Sequence, residues 1–170
     1  MYYRTRTYIA ADWTEDHDAV EQLHKWNDNN YWSLSFTDAH DLMQAKDSSL
    51  NCSIKKSLKQ RLDASKTFVL IVGKNTANLR SGSCSYCNRY HSLMHTCSSG
   101  YSVDTRSYIE YECNKAIEAE MKIVVLYNST QVLRTRCPEV IRSYGTHIPM
   151  KHWTSGGVDW DYQAVKKALQ

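Results

Sequence analysis

Tyr108 and Glu112 stand four residues apart in the stretch 105–127, TRSYIEYECNKAIEAEMKIVVLY. On a helix that spacing puts an aromatic ring and a carboxylate on one face. Ile109, Cys113, Ala116 and Ile117 form the apolar stripe beside them, so the pair is expected on a neighbouring face, away from the core centre. Such a pair at the rim of a packed helix can face a cleft, and Glu112 is the first carboxylate to weigh. The bland alternative is a solvated helix carboxylate beside Lys115. A second group is Cys84-x2-Cys87 followed by His91, His95 and Cys97. Two cysteines at this spacing can present both thiolates to one tetrahedral ion, and Cys97 with either histidine, His91 being the one chosen, could complete a structural zinc set. Free or redox-active thiols are the competing reading. Asp12 and Trp13 form a third group, where a cofactor could lean on an aromatic and hydrogen-bond a carboxylate. Asp12 as a helix cap, with Trp13 packed over the helix end, explains them equally well.

The elements that must position these residues alternate. A strand is expected over 5–10, then a helix capped by Thr14 or Asp16, with Val20, Leu23 and Trp26 inward. Residues 32–36 read as a second strand and 37–47 as a polar connection. Ser48 and Ser49 are expected to cap the next helix, where Leu50, Ile54, Leu58 and Leu62 recur every four residues. The apolar run 67–72 reads as a strand covered on both faces. A Ser-, Cys- and His-rich stretch, about 80–104, interrupts the alternation. The Glu112 helix and a strand over 122–127 restore it. A broken helix over 132–142, a fifth strand over 147–150 and a closing helix over 159–170 complete the chain. This order implies an α/β, flavodoxin-like three-layer sandwich with a mainly parallel five-stranded sheet, a single domain over 1–170 with a Cys/His-rich insertion. Ligands of such sheets bind beyond the carboxyl ends of the strands.

Composition narrows the function classes. Lys and Arg number 21 against 18 Asp and Glu in 170 residues, a net charge of +3 without a basic run, which does not argue for nucleic acid. No apolar run reaches membrane-spanning length, and the N-terminal stretch lacks a signal-peptide hydrophobic region, so a cytoplasmic protein is expected. Twelve Tyr and five Trp against two Phe suit half-buried cleft walls. A Cys–His nucleophile finds no readable oxyanion device around Cys84 and Cys87. The loop AADWTED lacks the run of Ser, Thr and Gly amides that would wrap a flavin phosphate.

Three segments resemble the TIR-like domains of bacterial Thoeris antiphage systems and their flavodoxin-like relatives. They are YIAADWTED (8–16), FTDAHDLMQAKDSS (36–49) running into IKKSLKQRLDASKTFVLIVGKNT (54–76), and YIEYECNKAIEAEMKIVVLY (108–127). The last carries Tyr108 and Glu112 where that family usually has Trp and Glu. The resemblance implies cleavage of NAD, the substrate, at the nicotinamide–ribose bond, with Glu112 catalytic and Tyr108 walling the nicotinamide. Asp12 and Trp13 would contact the nucleotide. Asp41, Lys46, Asp47 and Ser48 would lie on the mobile loop that covers it and joins subunits into a homo-oligomer. Asn75 follows the third expected strand, where it can bind the nucleotide or, with Thr76, only form a turn. The product implied is an ADP-ribose-derived signal for a separate effector protein. The alternative from another class is a TIR-like interaction or scaffold module without catalysis.

Overall fold

The computed structural model describes residues 6–32, 34, 36–38 and 50–170. Asp41, Lys46, Asp47 and Ser48 lie outside the described residues. Strand β1 (Arg6–Ala10) leads to helix α1 (His17–Asp28), and helix α2 (Asn51–Asp63) to strand β2 (Ser65–Val72). A small hairpin, β3 (Tyr90–His91) and β4 (Thr96–Cys97), precedes helix α3 (Tyr108–Glu118) and strand β5 (Lys122–Tyr127). Strand β6 (Thr146–Pro149), the hairpin β7 (Lys151–Thr154) and β8 (Gly157–Trp160), and helix α4 (Tyr162–Leu169) follow.

The main sheet has four strands in the order β1-β2-β5-β6, all parallel. Period-two alternation sends Tyr8, Ala10, Phe68, Leu70, Ile123 and Val125 to one core, shared with Leu58 and Leu62 of α2 and Ile109, Cys113 and Ala116 of α3. Ile9, Val69, Ile71, Val124 and Leu126 face the other, against Val20, Leu23 and Trp26 of α1 and Tyr162 and Val165 of α4. These two cores make the three-layer α/β sandwich that the pattern predicts.

The second strand expected over 32–36, which would make the sheet five-stranded, is corrected. Among the described residues of that stretch none is a strand, and only Asp38 makes a parallel bridge, to Thr7 at the outer edge of β1. The reason is local. The Asn27 side chain donates to the Phe36 carbonyl at 2.9 Å and accepts from the Phe36 N–H at 2.9 Å, so a side-chain amide takes the groups a ladder would use. Two further corrections concern helix ends. The cap of α2 is Leu50, without a side-chain cap bond, rather than a serine. Asp159 and Trp160 belong to β8, and the closing helix starts at Tyr162, capped by Asp161, which accepts from the Ala164 N–H at 2.9 Å.

Helix α3 starts sharply because Ser107 and Glu110 form a capping box, with bonds of 3.2 Å and 2.8 Å. The Cys/His-rich stretch docks onto α2 through Lys55. This lysine is only 3% exposed and donates to the carbonyls of Asp104 (3.0 Å) and Arg106 (2.6 Å) while pairing with the Asp104 carboxylate at 3.3 Å. Arg106 adds two bonds to the same carboxylate, at 3.0 and 2.7 Å. Burial works against ionising Asp104, yet these partners hold its carboxyl at about 2. The broken helix expected over 132–142 is two short 3₁₀ turns, Arg134–Arg136 and Glu139–Ile141, on either side of Cys137-Pro138.

Candidate functional site

Where β1 ends, the sheet, α2 and α3 leave a cleft of about 210 Å³. Ala10, Ile54, Leu58, Leu79 and Ile109 give it an apolar floor, and Asp12, Ser81, Tyr108 and Glu112 supply its polar groups. The site thus lies at the carboxyl end of a parallel strand, as the fold class requires.

Glu112 is 5% exposed, buried under α3 rather than lying on an outer face as the helix pattern alone suggested. The Tyr8 hydroxyl donates to its Oε1. Tyr8 is fully buried, its ring stacked on Phe68 with centroids 5.9 Å apart. Burial, and then the charge of Glu112, push the phenol well above its ordinary pKa, so Tyr8 keeps its proton and donates it. The pair explains the burial: a carboxylate taken from water needs a donor. Nothing in the one-turn spacing of Tyr108 and Glu112 pointed to Tyr8, 104 residues earlier. The available signal was an inward tyrosine on the first strand, whose hydroxyl had to find a partner.

Tyr108 is held at the cleft wall from three sides. Its hydroxyl donates to Asn51 at 2.9 Å, and its backbone N–H to the Ser81 carbonyl at 2.8 Å. Its ring packs against Gly82, where φ is +92° and an added Cβ would stand 2.4 Å from the ring. Burial, then the neighbouring Cys52, Cys84 and Cys87, push its phenol up to about 12, so the ring is a neutral wall. Asp12 and Trp13 also line the cleft. The Asp12 carboxylate accepts from the Thr14 N–H at 3.0 Å, closing a turn, while Asp16 takes the cap position of α1. Trp13 is 44% exposed at the mouth.

Asn75 stands elsewhere. It donates to Glu15 at 2.7 Å in a second cleft that also holds Asp16, Asp18, Gly73, Asn128 and Lys151. There Asn128 bridges Asp16 (3.0 Å) and Asp18 (2.9 Å), and burial raises the Asp16 carboxyl. Thr76 accepts from the Gly73 N–H at 2.8 Å and closes the turn after β2.

Cys52, Cys84 and Cys87 lie near Tyr108, and among the described residues they form no ligand set. Cys84 is buried and its Sγ accepts from the Asp104 N–H at 3.4 Å. Cys87 follows it through a turn, and Cys97 pairs with Tyr90 in the β3–β4 hairpin. His91 is exposed on the same hairpin. Among the described residues no three His, Cys, Asp or Glu side chains are arranged to hold a metal ion, so the geometry lends the zinc expectation no support. Cys52, which showed no partner in sequence, lies near enough to Cys97 and Cys84 to feel their charge, although burial is the main cause of its raised pKa. Cys113 is a core residue, as its place on the stripe predicts.

No helix among the described residues is long and apolar enough to cross a membrane. No curated protein matches the chain. Among solved structures, the crystal structure of a prokaryotic SEFIR domain is similar at 11% identity and a TM-score of 0.48, covering 97% of this chain and 98% of that one. Tyr108 and Glu112 fall beyond the stretch that a family model matches, whereas Tyr8, Asp12, Trp13 and Ser81 fall within it. Over residues 7–81, which span β1, α1, α2 and β2, the chain matches the family described as Thoeris protein ThsB, TIR-like domain.

Proposed function

We propose that this chain is a TIR-like enzyme of antiphage defence that cleaves NAD at the nicotinamide–ribose bond. The observation that carries the reading is Glu112, a buried carboxylate in an apolar cleft at the end of β1 with an aromatic ring one turn away. The bond to be broken joins ribose C1′ to a pyridinium nitrogen. Its electron pair leaves with the nitrogen, so nicotinamide departs neutral and needs no general acid, unlike an ordinary glycoside leaving group. What remains is an oxocarbenium-like ribose. An anionic carboxylate in a low-dielectric cleft stabilises that cation far better than one in water. Glu112 supplies this charge and holds ribose hydroxyls. Tyr108 walls the nicotinamide, and Asp12 and Trp13 at the mouth contact the rest of the nucleotide.

A cleft of about 210 Å³ is smaller than pockets that enclose a whole drug-sized ligand. It admits the nicotinamide–ribose end and leaves the adenosine end outside. Capture of the ribosyl cation by water, or by a nucleophile of the same or a second molecule, yields ADP-ribose or a cyclic or conjugated derivative. Such a product would act as the signal for a partner effector. A non-catalytic docking module is the second reading, favoured by Leu93 and Met94, which are 97% and 74% exposed between β3 and β4. Nicotinamide release from NAD separates the two. The enzyme reading expects release by the wild type and a loss of about 100-fold or more in Glu112→Gln, the scale of removing a transition-state electrostatic partner.

A further inference from the structure

The bond between Tyr8 and Glu112 joins two residues that the fold could have kept apart. Phe68 stacks on the Tyr8 ring at 5.9 Å with an interplanar angle of 19°, which fixes where the hydroxyl points. Ring and hydroxyl sit in the core between the sheet and α2/α3, and Tyr8 is 0% exposed. On the opposite side of the bond, Glu112 lines the cleft. We propose that Tyr8 is the positioning residue for Glu112, its hydroxyl fixing the carboxylate at the cleft and favouring its anionic form. The catalytic meaning of this role rests on the function proposed above, but the role itself does not.

A donor to the charged form of a carboxylate favours that form. Among the described residues, other charged and titratable groups lie around the pair. Arg61 of α2 is 6% exposed, its Nε is without a hydrogen-bond partner, and its charge favours an ionised Tyr8. Asp38 beside β1 acts the other way on Tyr8. Asp12 lies across the cleft, and Cys113 and Glu110 share the helix of Glu112.

The test uses full-length protein carrying ¹³C-labelled glutamate and ¹³Cζ-labelled tyrosine. The Glu112 and Tyr8 resonances are identified by their absence from Glu112→Gln and Tyr8→Phe. Removing the hydroxyl in Tyr8→Phe is expected to raise the Glu112 titration midpoint by about one pH unit, the size of a lost hydrogen bond to a charged group. Phe68→Leu loosens the ring but keeps the hydroxyl, and is expected to lower thermal stability and to move the midpoint less than Tyr8→Phe does. In the wild type, the Tyr8 resonance is expected to inflect where Glu112 titrates, a readout that needs no variant to fold. An unchanged midpoint in Tyr8→Phe, an equal shift in Phe68→Leu, or a wild-type Tyr8 resonance indifferent to Glu112 would each overturn the proposal. Where the wild type cleaves NAD, the acid limb of its kcat profile shifts upward in Tyr8→Phe. A shifted midpoint in a protein that leaves NAD intact would refute the enzyme reading and leave the positioning role standing.

Discussion

At Gly82 the backbone takes a φ of +92°, and the space where a Cβ would stand is filled by the Tyr108 ring. Both facts penalise any side chain there. Gly82→Ala is expected to cost about 1–3 kcal/mol in denaturant unfolding and to displace Tyr108 from the cleft wall. A variant as stable as the wild type would show that the ring does not need this glycine. At this scale the sequence is informative about one half of each contact. The one-turn spacing of Tyr108 and Glu112 is visible because helix geometry is local. Their partners Tyr8, Asn51 and Gly82 are not, because strand order and loop docking bring them in from 26 to 104 residues away in sequence. The same limit hid Cys52 from the other cysteines, and it left Asn75 grouped with residues that the fold puts in a different cleft.

Among the elements, α2 does more than cover the sheet, since its Lys55 clamps the Cys/His-rich stretch to the start of α3. Lys55→Ala leaves Asp104 without its buried cation and two carbonyls without their donor. Its expected cost is about 3 kcal/mol in global stability, with faster hydrogen exchange over residues 80–106. The clamp also has a pH signature. Asp104 has its folded pKa lowered to about 2, below the ordinary carboxylate value. Its contribution is therefore fully present above about pH 4 and lost as pH falls toward about 2. Asp104→Asn is expected to flatten the dependence of the urea midpoint on pH across that acid window and to leave its slope near neutrality unchanged. Equal acid slopes in the two proteins would contradict the assignment. Elements with strong periodicity, α2, α3, β2 and β5, were legible because burial of one face or of both faces is written in residue order. The strand expected over 32–36 failed because Asn27 captures the Phe36 backbone, which a hydrophobicity pattern cannot show. The β7–β8 hairpin is missing from the sequence reading although Ser155-Gly156-Gly157 is a turn signal, since Asp159 and Trp160 are placed there in the closing helix and residues 151–158 in no element.

For the molecule as a whole, parallel order in the sheet puts the carboxyl ends of β1 and β2 on one edge, and α2 and α3 on one face of it. Their meeting point is the cleft, and Glu112 of α3 reaches it as a buried side chain. That makes Glu112 a buried carboxyl group with a tyrosine donor, and it is the basis for the proposed chemistry. The most direct measurement is nicotinamide released from NAD by concentrated wild-type protein and by Glu112→Gln, each with extract of phage-infected cells. The proposal predicts release by the wild type above the extract alone and a loss of about 100-fold or more in Glu112→Gln. Intact NAD with the wild type, or equal release by the two proteins, would contradict it.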